Sequence, residues 1–192
     1  WGSGRNECRA VFDAVVEAGG TFFDTAYIYT DGESERMLGE FVSADRGHFV
    51  LATKYATTNK PDVTISGSSR KAMRHAVEES LRRLRTDYID LYWLHAWDPR
   101  TPVDELMRGL DDLVRAGKVL YIGVANAPAW QVSRANMMAE LRGWSSFAGI
   151  QTEYNLLERT AERELLPMAR ELELAVTAWS PLASGVLSGK YD

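Results

Sequence analysis

The chain of 192 residues is long enough to bury a sizeable core, and its 45% hydrophobic and 26% charged residues are ordinary for a globular domain. A formal net charge of -5, without a block of lysine and arginine, argues against nucleic acid or an anionic membrane as a partner. The longest apolar runs have the length of strands, so no membrane-spanning helix is predicted.

Cysteine and histidine are scarce, which narrows the chemistry that the chain can perform. Cys8 is the single cysteine, which excludes an internal disulfide framework and a cysteine-based metal cluster. A reducing cytoplasm is therefore the expected location. The first residues, WGSGRNECRA, do not resemble a signal peptide. None of the three histidines has a metal-ligand partner at helical spacing, so no metal site is predicted.

Six segments rich in β-branched and aromatic residues recur along the chain, and most of them are apolar on both faces. That pattern is typical of parallel strands that are covered by helices. The predicted strands are TFFDT (21–25), FVLATKY (49–55), YIDLYWLH (88–95), VLYIGVA (119–125), GIQTEYN (149–155) and LAVTAWS (174–180).

Amphipathic helical patterns fill the gaps between these strands. Their expected starting points include Asn6, Ser68 or Ser69, Thr101-Pro102, Pro128 and Thr160, and Pro167 is expected to kink or restart the last helix. The helix that begins at Ser68 or Ser69 has a basic face, which we interpret as solvated surface. That face carries Arg70, Lys71, Arg74, Arg82 and Arg83.

Strands and helices alternate with a repeat of roughly 30 residues, which is the unit of a (β/α)8 barrel. An open doubly wound sheet is the competing architecture, but no G-x-G-x-x-G motif follows any predicted strand. We therefore predict an α/β chain in which residues 1–192 form a single, partial TIM-barrel domain with six of the eight strands. A first strand, and everything from the end of the seventh βα unit onward, are expected to lie outside it.

Polar side chains gather where several of these strands end. Asp24 ends the first strand with Tyr29 five residues later, Lys54 is near the end of the second, and His95 ends the third. In a βα barrel these positions share one mouth, where catalysis takes place. An ammonium lowers the pKa of a nearby phenol, a carboxylate fixes that ammonium, and an imidazole can orient a carbonyl oxygen. Together the four side chains predict a proton donor for a carbonyl group that is being reduced.

The sequence at this point resembles the aldo-keto reductases. The stretch FFDTAYIYTDGESERMLGE is similar to the family signature around its first catalytic residues. Later blocks also resemble the family and follow in its order: LATK, DYIDLYWLHAWDP, GKVLYIGVAN, IQTEYNLLER and AWSPLASGVLSGKY. The resemblance implies that NADPH donates a hydride to an aldehyde or ketone. It also implies a catalytic tetrad of Asp24, Tyr29, Lys54 and His95, with Tyr29 as the proton donor.

The resemblance further implies a nicotinamide site built from the later strands. Two amide side chains would hold the carboxamide, an aromatic ring would stack on the nicotinamide, and a loop would border the pyrophosphate. The implied cofactor contacts are Asp24, Asn126, Gln151, Trp179, Ser180, Pro181 and Leu182. The implied substrate pocket comprises Tyr29, His95 and Trp97, although a packing role is an equal alternative for Trp97. By strand alternation Trp93 is expected in the barrel core and Tyr92 toward the helices, while Tyr27 is interpreted as packing or pocket wall.

The chain departs from the family pattern at one notable position. Ala125 stands where the family usually has serine, which removes one hydroxyl and should weaken cofactor binding by roughly 1 kcal/mol. NADH remains an alternative cofactor, because the segment that grips the 2′-phosphate in the family is not among these residues. Two other functions stay open: a cofactor-binding protein similar to the regulatory subunits of potassium channels, and a non-catalytic fragment. The sequence predicts neither the carbonyl substrate nor the oligomeric state.

Overall fold

The fold was analysed in a computed structural model that describes residues 3–59, 62 and 64–191. Six strands and six α-helices alternate in this part of the chain. The strands are β1 (Phe22–Asp24), β2 (Val50–Tyr55), β3 (Ile89–Leu94), β4 (Val119–Ala125), β5 (Phe147–Glu153) and β6 (Ala175–Trp179). The helices are α1 (Arg5–Glu17), α2 (Glu33–Val42), α3 (Arg70–Leu84), α4 (Val103–Arg115), α5 (Ala129–Arg142) and α6 (Leu165–Glu171).

The strands form one parallel sheet whose spatial order is the order of the chain, from β1 to β6. Each connection therefore moves to the next strand in the same direction, as in a βα barrel, whereas a doubly wound sheet reverses its strand order. The sheet curls into a half-barrel. The predicted α/β architecture, an incomplete (β/α)8 barrel with six parallel strands, is confirmed.

The two faces of the sheet bury different kinds of side chain. On the helix side, Tyr55 and Tyr92 are fully buried and stack with their ring centroids 5.0 Å apart. On the barrel side, Trp93 is only 1% exposed and lies over Gly123 of the neighbouring strand β4 and Gly149 of β5. A Cβ atom at Gly123 would lie 2.3 Å from two ring atoms of Trp93. The predicted orientations of Trp93 and Tyr92 are both confirmed, and the large indole fits because the opposing position has no side chain.

The helix starts agree with the sequence in most cases. Ser69 is the N-cap of α3, and its Oγ accepts a hydrogen bond from the Ala72 N–H at 3.3 Å. Pro167 lies in the first turn of α6, after a separate 3-10 turn at Thr160–Glu162, which matches the predicted restart. The prediction for α1 is wrong, because Gly4 is its N-cap and Asn6 already lies within the first turn. None of the described helices is both long and apolar enough to cross a membrane.

Candidate active site

The four side chains predicted to act together lie at one end of the sheet. Asp24 is the last residue of β1, Lys54 is one residue before the end of β2, and His95 directly follows β3. Tyr29 opens a short 3-10 turn between β1 and α2. Because β1, β2 and β3 are parallel neighbours, their carboxyl ends bring these residues to the mouth of the half-barrel.

Lys54 is the best fixed of the four. It is 1% exposed, its Nζ donates a hydrogen bond to the Thr25 carbonyl oxygen at 2.7 Å, and it forms an ion pair with Asp24. A buried ammonium without a partner would be very costly, so the carboxylate at the end of β1 makes its burial possible. Burial lowers the pKa of Lys54, and the charge of Asp24 and its hydrogen bond oppose that change.

Tyr29 lies directly beside this ion pair and beside the imidazole. The Nζ atom of Lys54 is 5.1 Å from the Tyr29 ring centroid, and the Tyr29 and His95 ring centroids are 6.0 Å apart with the rings nearly perpendicular. Tyr29 is 42% exposed, and its partial burial, followed by the negative charge of Asp24, raises the pKa of the phenol above its ordinary value. The net change is therefore opposite to the lowering predicted from Lys54, because burial and the charge of Asp24 outweigh the effect of the ammonium. Tyr29 accordingly keeps its proton at neutral pH.

His95 is neutral at physiological pH. Burial, and then the positive charge of Lys54, lowers its pKa to about 4. Its Nδ1 atom is buried and has no hydrogen-bond partner among the residues that the structure describes. The tautomer with its hydrogen on Nε2 is therefore favoured, because a donor at Nδ1 would be buried without an acceptor, whereas the Nε2 hydrogen can be donated to a ligand oxygen.

Strands β4, β5 and β6 contribute polar side chains that are hydrogen-bonded to the ends of β1 and β3 or to one another. Asn126 follows β4, donates from Nδ2 to the His95 carbonyl oxygen at 3.0 Å and accepts from the Trp179 indole N–H at 3.1 Å. Gln151 in β5 donates from Nε2 to Asp24 Oδ2 at 3.4 Å. Hydrogen bonds thus connect Asn126, Gln151 and Trp179 to the strand ends that carry His95 and Asp24.

The chain turns sharply as it leaves two of these strands. Asn126 has φ 51° and Ser180 has φ 54°, so both occupy the left-handed region. Asparagine tolerates this conformation better than most residues do. Asn155 Nδ2 donates to the Ser180 carbonyl oxygen at 3.1 Å and so fixes the loop that continues through Pro181 and Leu182, both of which are exposed.

Trp97 lies in the loop after β3, where it packs against the core and also lines a cavity of about 360 Å³. The opposite wall of this cavity comes from the loop after β2, including Thr57 and Gly67. The packing interpretation of Trp97 agrees with this position. Neither Tyr29 nor His95 lines this cavity, so the role of Trp97 in the substrate pocket stays a prediction. Among the described residues no group of three histidine, cysteine, aspartate or glutamate side chains could hold a metal ion.

Sequence reasoning missed two charged residues close to the site. Arg83 was interpreted as part of a solvated face, but it is 7% exposed and pairs with Glu35, which is 0% exposed. The helical period indicates that Arg83 is buried. Position 83 lies seven residues after Ala76 and three after Ser80, so it falls on the face of α3 where both of these residues are buried.

Comparison with known proteins identifies the family of the chain. The family model described as "Aldo/keto reductase family" matches residues 2–192. The chain is 39% identical over 199 residues to an aryl-alcohol dehydrogenase of Phanerodontia chrysosporium named for NADP(+), covering 96% of this chain and 52% of that protein. It is 44% identical over 184 residues to the norsolorinic acid reductase stcV of Emericella nidulans, covering 92% of this chain and 48% of that protein.

The sheet defines a βα-barrel protein whose polar groups collect at the carboxyl ends of its strands. The family match extends over nearly the whole chain and narrows this class: the chain belongs to the aldo-keto reductase family. It spans about half the length of the curated relatives that it matches.

Proposed function

We propose that the protein is an oxidoreductase that reduces an aldehyde or ketone to an alcohol, using hydride from NADPH and a proton from Tyr29. The observation that carries this proposal is the Lys54–Asp24 ion pair placed against Tyr29 and His95 at one mouth. NADPH would supply the hydride when bound, and the groups described below would supply the proton and the orientation of the carbonyl.

The residues at the later strand ends fit a nicotinamide carboxamide. Beyond its two internal hydrogen bonds, the Asn126 amide retains one N–H and one oxygen lone pair, which match the carboxamide acceptor and donor. The indole of Trp179 is 38% exposed, which leaves ring surface for stacking. Gln151 supplies a second amide at the same level of the sheet. The name of the Phanerodontia relative favours NADP(+) over NAD(+), and NADH is the competing cofactor.

The raised pKa of Tyr29 keeps the phenol protonated before the reaction, so Tyr29 can act as a proton donor and not as a base. The same rise makes the phenol a weaker acid, which the neighbouring Lys54 ammonium would offset as the proton leaves. As hydride reaches the carbonyl carbon, negative charge develops on the oxygen, and the phenol hydrogen neutralises it. The phenolate left behind would then lie 5.1 Å, measured at its ring centroid, from the Lys54 ammonium. His95 would donate its Nε2 hydrogen to the same oxygen and so hold the carbonyl in place.

An aryl aldehyde is the first substrate class to test, because one relative is named as an aryl-alcohol dehydrogenase. Purified protein of full natural length is mixed with NADPH or NADH and 4-nitrobenzaldehyde, and oxidation of the cofactor is followed by absorbance. We expect turnover with the wild type and its loss in Tyr29→Phe, while fluorescence titration shows cofactor affinity nearly unchanged. Equal turnover in Tyr29→Phe would exclude Tyr29 as the acid. Tight cofactor binding without turnover on a panel of aldehydes would favour the regulatory-subunit alternative.

A further inference from the structure

The turn that carries Tyr29 is strained. Thr30 has φ 48°, Asp31 has φ 54° and Gly32 has φ 84°, so three successive residues are left-handed. For residues other than glycine this conformation costs roughly 1–2 kcal/mol each, and it persists only where the surroundings enforce it. The residues that enforce it here therefore also determine where the Tyr29 ring points.

Arg83 is a buried side chain that contacts this turn. Its Nη1 donates to the Tyr27 carbonyl oxygen at 2.9 Å, and its guanidinium lies 4.5 Å from the Tyr27 ring centroid. The same group fills the space beside Gly32, where a Cβ atom would come within 2.4 Å of Arg83 Cζ and Nη1. Arg83 thus contacts the turn on both sides of Tyr29 in the sequence.

Glu35 holds Arg83 in place and connects it to the strand that carries Lys54. Its Oε2 accepts from Arg83 Nη1 at 3.0 Å, and its Oε1 accepts from the Thr53 hydroxyl at 2.7 Å. Tyr27 is also tied to this strand, because its N–H donates to the Lys54 carbonyl oxygen at 3.0 Å. One buried network therefore joins the turn of Tyr29 to Thr53 and to the backbone of Lys54.

We propose that Arg83, held by Glu35, is a positioning residue that sets Tyr29 against Lys54 and His95. This inference rests on the proposed function, in which Tyr29 gives up the proton. Arg83 touches none of the reacting groups itself. Loss of the Arg83 side chain would slow proton transfer from Tyr29, and it would affect the binding of cofactor or aldehyde much less.

Arg46 provides a control for Arg83, because its side chain is also largely enclosed, at 15% exposed. Arg46 donates to Asp90 Oδ2 at 2.6 Å and to the Phe49 carbonyl oxygen at 2.8 Å, and its guanidinium lies 4.1 Å from the Tyr88 ring centroid. This arrangement resembles that of Arg83, but it lies at the amino-terminal ends of β2 and β3, away from the mouth. Arg46→Met and Arg83→Met therefore remove similar contacts from opposite ends of the barrel.

The test measures kcat and KM for 4-nitrobenzaldehyde, cofactor affinity and thermal stability in both variants. We expect kcat to fall by about tenfold or more in Arg83→Met, with KM and cofactor Kd changed by less than about threefold, because misplacement acts on the chemical step. Arg83→Lys should recover part of the loss. Arg46→Met should lower the Tm by a similar amount and leave kcat within about twofold of the wild type.

A second variant and a spectroscopic measurement test the role of Arg83 independently. If Arg83→Met does not fold, Glu35→Gln, which preserves shape but removes the charge, should lower kcat in the same manner without a matching rise in KM. In protein labelled with 3-fluorotyrosine, the Tyr29 fluorine resonance should move in the Arg83 or Glu35 variant and stay in place in Arg46→Met. An unmoved resonance with unchanged kcat, or an equal loss of kcat in Arg46→Met, would overturn the proposal. A fully active Tyr29→Phe would instead overturn the proposed function, so the two failures are distinct.

Discussion

Replacing Lys54 by methionine removes the ammonium that lies closest to the proposed proton donor. Methionine has a similar shape and lacks the charge, so the substitution tests the electrostatic role rather than the packing. Two unit charges 5.1 Å apart interact by about 3 kcal/mol at an effective dielectric constant of about 20. If Tyr29 becomes a phenolate during turnover, that energy corresponds to about two orders of magnitude in rate.

The Asp24 carboxylate reduces this effect, because it is in direct contact with Lys54 and its charge has the opposite sign. We therefore expect Lys54→Met to lower kcat by about 10- to 100-fold, with a smaller effect on the KM of the cofactor. The assay is steady-state reduction of 4-nitrobenzaldehyde at saturating NADPH. Lys118→Met is the matched control, since Lys118 also pairs with a carboxylate, that of Glu78, but lies just before β4 at the other end of the barrel.

A double variant separates the two explanations of such a loss. If the uncompensated charge of Asp24 were the cause, adding Asp24→Asn to Lys54→Met would restore kcat. If the ammonium itself is needed, the double variant stays as slow as the single one. A kcat of Lys54→Met within about threefold of the wild type would refute the electrostatic reasoning, because less than 1 kcal/mol would then separate the two proteins.

Three further outcomes follow from the structure. Gly123→Ala should destabilise the fold by about 1–3 kcal/mol in urea unfolding, because its Cβ would overlap the Trp93 ring, whereas Gly47→Ala meets no atom within 4 Å and should be near neutral. Ser69→Ala should cost about 1 kcal/mol by removing the cap of α3. The neighbouring Ser68→Ala serves as its control, since the Ser68 hydroxyl has no partner in the described part of the chain. The pKa of His95 is about 4 in the folded protein against 6.5 for an ordinary histidine, so the unfolded chain alone takes up this proton between those pH values. Stability should therefore fall as the pH drops from 6.5 toward 4, and the Tm of His95→Gln should decline less over that interval.

The positions of the strands were predictable because each is a compact apolar run. Only β5 begins noticeably earlier than expected, at Phe147 rather than residue 149. The cause is an irregularity in the ladder: Ile122 pairs with Phe147 and Gly123 with Gly149, so Ala148 is an extra residue in β5. A hydrophobic pattern does not record such a bulge, because it depends on the partner strand.

The grouping of charges at the mouth could also be predicted, since parallel strands place their carboxyl ends together. The direction of the Tyr29 pKa shift could not be predicted, because it depends on how far the ring is buried and on how close it lies to Asp24. The helical period of α3 points to the burial of Arg83, but it does not identify the partner of that arginine. A basic residue in a helix is usually solvated, and only the packing of α2 against α3 brings Glu35 to it.

The register between β2 and β3 connects the core to the chemistry of the mouth. Lys54 pairs with Trp93 on the barrel side, while the adjacent Tyr55 and Tyr92 stack on the helix side. Because side chains alternate along a strand, a slip of one residue in β2 would move the Lys54 ammonium among the apolar side chains that surround Tyr92. The cost of burying that charge without Asp24 opposes the slip, and so does the loss of the stacked tyrosine pair. The two buried tyrosines therefore contribute to the site from the opposite face, by keeping Lys54 directed at Asp24 and Tyr29.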